Sequence, residues 1–155
     1  MNDDAHAAFT TYMNDHQVLH LGTTDGQTAW QSVVYFAYND GLIYFTSAKS
    51  SLHGTHIGSG ANVAFSVADS SQSPATPSAV GVQGAGYCRP AGVRDLPSFA
   101  RCYGSRFASY QATFGNLSKL REMITGDNVP YLIEIGRVLY RNKPLLGGRI
   151  EIVLS

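Results

Sequence analysis

Residues 19–67 read LHLGTTDGQTAWQSVVYFAYNDGLIYFTSAKSSLHGTHIGSGANVAFSV, and this stretch decides the fold. Its centre, Ala29 to Tyr38, is rich in β-branched and aromatic residues, the composition of a strand. Asp25-Gly26 lies before it and Asn39-Asp40-Gly41 after it. Both are hairpin signals, because a tight primed turn needs positive φ at both central positions. Val18 to Leu21, Ala29 to Tyr38 and Leu42 to Thr46 are therefore expected as an antiparallel meander. Ser50 or Ser51 then caps a short helix to about Gly58. Asn62 to Ala68 follows as a strand, with Val63, Phe65 and Val67 on one face.

Upstream, residues 3–15 have helical spacing. Ala5, Ala8, Phe9, Tyr12 and Met13 share a face, and Asp3 or Asp4 is available as a cap. Downstream, Asp69 to Ser78 (DSSQSPATPS) is a polar loop. Val80 to Tyr87 resumes as a strand, where Gly81, Gly84 and Gly86 signal bulges or bends. Residues 95–112 are predicted helical through Leu96, Phe99, Ala100, Tyr103 and Phe107. Leu117 to Ile124 forms a second helical piece that stops at Gly126. Tyr131 to Tyr140 and Arg149 to Leu154 read as closing strands. About seven strands with a few short helices make a mainly β chain, an antiparallel barrel with helical appendages.

Composition narrows the function classes. The chain has 155 residues, enough for one domain with its own core. Charged residues are only 14%, against roughly 25% in an average soluble protein. Such a surface is expected to be partly buried between subunits, as in a homodimer. Lys plus Arg, 11, balance Asp plus Glu, 11, and no basic stripe points to nucleic acid. No basic amphipathic segment or long apolar run points to a membrane. The acidic start MNDDAHAAF lacks the plan of a secretory signal, so a cytoplasmic location is expected. Cys88 and Cys102 form no CxxC pair and are expected as reduced thiols. His53 and His56, at i and i+3, have no evident third ligand, so no metal is expected. Trp30 and the nine tyrosines are expected in the core or at an interface. No Ser-His-Asp order, phosphate-binding GxxxxGK loop or carboxylate pair supports a hydrolase or kinase.

The order of these elements resembles the flavin-binding split barrels of the pyridoxamine 5'-phosphate oxidase superfamily. The features that carry it are the Thr24-Asp25-Gly26 hairpin, the Tyr44-Phe45-Thr46-Ser47 strand end, the Ser51-led helix with His53, and GVQGAGYC at 81–88. The tail resembles a bacterial branch of that group, through Tyr103-Gly104-Ser105-Arg106-Phe107, Tyr140-Arg141-Asn142 and Gly147-Gly148-Arg149. The resemblance covers roughly residues 16–154. It implies an antiparallel split β-barrel of about seven strands, with an N-terminal helix and a helical segment before the last two strands. It implies one FMN-binding domain over 1–155, a homodimer with flavin sites between subunits, and an FMN-dependent oxidoreductase acting on a small molecule.

By the same resemblance, Gln31, Ser32, Val33 and Val34 run along the flavin ring and Gln83 approaches it. Thr46, Ser47, Lys49, Ser51 and His53 gather at its phosphate, which needs convergent hydroxyl, N–H and cationic donors. The sequence departs from the branch around the helix. Leu52 and Thr55 stand where arginines are expected, and His56 where an asparagine is expected. Arginine is an always-charged, bidentate phosphate partner, so weak or absent FMN binding is expected. The alternative is a non-catalytic protein on the same scaffold holding haem or another cofactor, with His16, His20, His53 and His56 as candidate haem ligands.

Overall fold

A computed structural model describes residues 2–75, 79–110, 112 and 116–154. In chain order it contains α1 (Asn2–Asp15), β1 (Val18–Thr24), β2 (Ala29–Asn39), β3 (Leu42–Ala48), α2 (Leu52–Ile57), β4 (Ala61–Ala68) and β5 (Val80–Pro90). Then come α3 (Leu96–Phe99), α4 (Leu117–Thr125), β6 (Asn128–Asn142), α5 (Lys143–Leu146) and β7 (Gly148–Ile152). All strand pairs are antiparallel, in the order β3-β2-β1-β4-β5-β6-β7. A further ladder from β3 to β6 closes the first six into a barrel and leaves β7 as an extra strand on β6.

Alternation along the strands fills the barrel. Leu19 and Leu21, Val34 and Phe36, Ile43 and Phe45, Val63, Phe65 and Val67 all point inward and are buried. The face of α1 read from the sequence joins them. Ala5, Phe9 and Met13 are buried, and Phe9 meets Tyr38 and Tyr140 edge to face at 5.4 and 6.0 Å. Among the described residues no helix is long and apolar enough to cross a membrane. Cys88 is buried and Cys102 half-buried, both free; burial pushes the Cys88 thiol up to about 12.

Three expectations need correction. The two-residue primed turn is Asp40-Gly41, with φ of 46° and 79°. The Asp25-Gly26 hairpin is wider, because Thr24 pairs with Ala29. There the Asp25 carboxylate accepts from the N–H groups of Gln27 and Thr28, at 2.9 and 2.6 Å, and opens the loop. The continuous helix expected over 95–112 is broken instead. A 3-10 turn (Val93–Asp95) leads into α3, a wider π turn (Ala100–Gly104) follows, and another 3-10 turn covers Ala108–Tyr110. Residue 111 and the end of the Asp69–Ser78 loop lie outside the described residues. Finally, the Asn142 turn carries the unanticipated α5, capped by the Asn142 side chain on Leu145 N.

The broken segment packs outside the barrel, where Phe99 and Tyr103 join Ala37, Tyr44 and Leu132 in a second buried cluster. It also explains Arg106. That guanidinium leaves the segment to donate to the carbonyls of Met13, Asn14 and His16, where α1 ends, and lies over the Phe36 ring at 5.2 Å. The last carbonyls of a helix have no partner within it, and a cation there also meets the negative end of the dipole. Arg106→Ala is therefore expected to lower unfolding free energy by about 2–3 kcal/mol in urea denaturation. Arg106→Lys should lose less. A stability equal to that of the parent chain would show that the carbonyls are as well served by water.

Candidate functional site

β2 changes partner along its length. Ala29 to Tyr35 pair with β1, and Phe36 to Asn39 pair with β3. Beyond Phe45, β3 pairs with β6 alone, through Thr46 to Ala48. Between Ala29–Tyr35 and Thr46–Ala48 the sheet is therefore open, and every second residue of β2 there turns backbone groups to an unpaired edge.

α2 sits at this split, packed on β1, β2 and β4. Ser51 fixes it. Its hydroxyl accepts from Gly54 N at 3.0 Å and donates to Ala48 O at 2.7 Å. Gly54 lets the helix close in, since a Cβ there would run into the carbonyls of Ala48 and Lys49. The helix then lays two imidazoles against the strands. His53 Nδ1 is 2.8 Å from Ser32 Oγ on β2, and its Nε2 is 2.5 Å from Ser47 Oγ on β3. His56 Nδ1 is 3.1 Å from Thr23 Oγ1 on β1. Burial first, and then the charge of His56, hold His53 below the ordinary histidine pKa. Its ring is neutral near pH 7.

The structure brings together some of the residues read from the sequence and separates others. Ser32, Ser47, Ser51 and His53 meet at the split. Val34 is buried beneath it, while Gln31 and Val33 face outward. Thr46 turns to the opposite side of β3, its hydroxyl 3.5 Å from that of Tyr103. Lys49 reaches the end of α4, donating to Ile124 O at 3.4 Å. Leu52 and Thr55 are exposed on α2, and the Thr55 hydroxyl donates to Ser51 O at 3.0 Å. Gln83 is exposed on the outer face of β5. Sequence reasoning missed Thr23, and Ser50, read there as a possible helix cap beside Ser51, has a different role. Thr23 occupies an inward position of β1, a polar side chain where alternation calls for an apolar one. Ser50 bonds both carboxylate oxygens of Asp127 through its N–H and hydroxyl, at 2.9 and 2.7 Å. Among the described residues no three His, Cys, Asp or Glu side chains gather as a metal site.

The strand registers also lay out one row across the outer face: Val33, His20, Ser66, Gln83 and Leu139, on β2, β1, β4, β5 and β6. The neighbouring row passes through Gln31, Gly22, Ala64, Ala85 and Arg137. Val33 and Tyr35 are 65% and 62% exposed on this face.

No family model matches the sequence, and no match was found among curated proteins. Solved structures do match. A haem-binding protein from Mycobacterium smegmatis is 15% identical with a TM-score of 0.65; the match covers 94% of this chain and 57% of that one. HutZ, the haem storage protein from Vibrio cholerae, is 14% identical at a TM-score of 0.64, covering 85% and 91%. A protein related to general stress protein 26, of the pyridoxinephosphate oxidase family, from Clostridium acetobutylicum is 8% identical at 0.64, covering 97% and 95%. The chain has the split-barrel fold of these proteins. At such identities the likeness is one of fold.

The depressed proton affinity of His53 has a consequence for stability. The unfolded chain, with an ordinary histidine, binds more protons than the folded one just below pH 6.5. This contribution to stability is therefore fully present above that pH and is lost as pH falls below it. Thermal midpoints should drop between pH 7 and 5.5, and the drop should shrink in His53→Gln. Identical pH profiles for the two proteins would contradict this.

Proposed function

We propose that this chain is an FMN-binding, homodimeric split-barrel protein of the oxidoreductase type, one domain over residues 1–155, acting on a small molecule in the cytoplasm. The observation that carries the reading is the open edge of β2 beside a cluster of hydroxyl and imidazole donors. The polar edge of a flavin ring alternates donors and acceptors, and the unpaired backbone groups of Gln31 to Val34 offer the same pattern. The donor set also suits a phosphate in kind. Ser47, Ser51 and His53 would face it, and Lys49 would have to swing from Ile124 O. What is lacking is a fixed bidentate cation, so affinity is low. Bound flavin supplies the redox chemistry; the chain supplies binding, orientation and exclusion of water.

Gln83 supports the dimer. Two strands, β1 and β4, lie between its ladder position and β2, three spacings or about 14 Å, so it meets a flavin at the split only from a second copy. The small residues Gly22, Ala64, Ser66 and Ala85 leave this face flat enough for a second copy to approach, and the exposed Val33 and Tyr35 give it apolar area to bury.

A second reading, haem binding on the same face, rests on His20. His16, His53 and His56 are each tied by a hydrogen bond, whereas half-buried His20 has none among the described residues.

An absorption spectrum before and after adding FMN separates the readings. Flavin bands that persist through gel filtration support the first, and a Soret band the second. Leu52→Arg restores a cation on the exposed side of α2 and should tighten FMN binding about tenfold, one charged hydrogen bond's worth. An unchanged dissociation constant would remove the phosphate from this helix. Light scattering should give a dimer, and a monomer at micromolar concentration would refute the shared site.

A further inference from the structure

Ser32, His53 and Ser47 stand in line across the split, contributed by β2, α2 and β3. With a neutral ring the hydrogen bonds run one way. One hydroxyl donates to the bare ring nitrogen, and the ring N–H donates to the other hydroxyl. Only one of the two hydroxyl protons is then free to serve a ligand. Protonation makes both ring nitrogens donors. Both hydroxyls must now accept, and both of their protons turn outward.

From this chemistry we propose that Ser32, His53 and Ser47 form a proton-coupled receptor for a dianionic oxyanion such as a phosphate monoester, which binds with uptake of one proton from solvent onto His53. The receptor rests on the reading that the split is the ligand site, and adds that its cation is made on demand. All three residues are half-buried rather than sealed, so an anion can reach them.

The surroundings keep the resting state neutral. His56, on the same helix, is the charge that acts on His53, and it opposes protonation. Asp25, in the β1–β2 turn, acts on His56. Lys49 after β3 is turned to Ile124 O, and Asp127 before β6 is held by Ser50. His20 on β1 and Tyr35 on β2 lie on the outward-facing positions of their strands, and β4 carries no titratable residue. A dianion between the two hydroxyls supplies the opposite charge that His53 lacks, and it raises the proton affinity of the ring.

Sulfate is a suitable probe, because its charge does not change between pH 5 and 8 and any pH dependence belongs to the protein. Sulfate should bind about tenfold more tightly at pH 5.5 than at 7.5. The NMR titration midpoint of the His53 ring should rise when sulfate is added. His53→Gln should bind weakly with no pH dependence. Should that variant fail to fold, Ser47→Ala keeps the imidazole, loses a hydroxyl donor and should flatten the response. A His53 midpoint unmoved by saturating sulfate, or sulfate binding that ignores pH in the parent chain, overturns the receptor. Riboflavin, which lacks the phosphate, separates this from the flavin reading. If neither riboflavin nor FMN binds at any pH while sulfate still moves His53, the flavin reading falls and the receptor stands. If both flavins bind equally and sulfate leaves His53 unmoved, the receptor falls and the flavin reading stands.

Discussion

One edge of β6 has to serve two strands, and the rest of the molecule follows from that. β5 runs along one side of all but the first three and Gly136 of its 15 residues. On the other side, Asn128 to Glu134 bind β3, and Val138 to Asn142 bind β7. The first of these ladders closes the barrel, with Phe45 stacked on Tyr131 at 5.1 Å inside it. It also draws the end of β3 along β6 and away from β2, which meanwhile follows β1. The split is thus the price of closure. It is an edge left over when six strands of unequal length form a ring, and an open edge must be covered or used. α2 covers its lower end, and its side chains become the bonds that β2 and β3 no longer make to each other.

Most of the fold was legible because the signals are local. A strand announces itself by alternation, and a turn by the residues that tolerate positive φ. Asn39-Asp40-Gly41 behaved as read. Asp25-Gly26 did not, because the Asp25 side chain competes for the amides of Gln27 and Thr28, and the dipeptide alone does not say which of the two outcomes wins. The segment after β5 failed for a different reason. Leu96, Phe99, Tyr103 and Phe107 fit a continuous helix, but the π turn at Ala100–Gly104 shifts the phase by a residue per turn, and only packing against Tyr44 and Leu132 favours it. At the site, Ser32, Ser47, Ser51 and His53 were nameable from residue type and resemblance. Their mutual bonding was not, since it needs the closed barrel to bring β2, β3 and α2 together. Lys49 shows the same limit. Its side chain looked free to meet a phosphate, and the Ile124 carbonyl at the end of α4, distant in sequence, takes it instead.

Leu52 and Thr55, where the resemblance implied arginines, then acquire a physical sense under the proposed receptor. An arginine reaching from these exposed positions into the half-buried split would be charged whether or not a ligand is present, and an unpaired charge away from water is costly. The Ser32–His53–Ser47 line carries no such cost. Its donors and acceptors satisfy one another, and among the described residues no buried side-chain nitrogen or oxygen lacks a partner. This line of hydrogen bonds is complete by itself. That completeness works against affinity, because an incoming anion must compete with bonds already made, where a lone arginine would have been waiting for it. It also changes what controls occupancy. With a fixed cation the ligand concentration alone decides; with an imidazole whose neighbours disfavour its charge, ligand and proton arrive together, and each makes the other's binding easier.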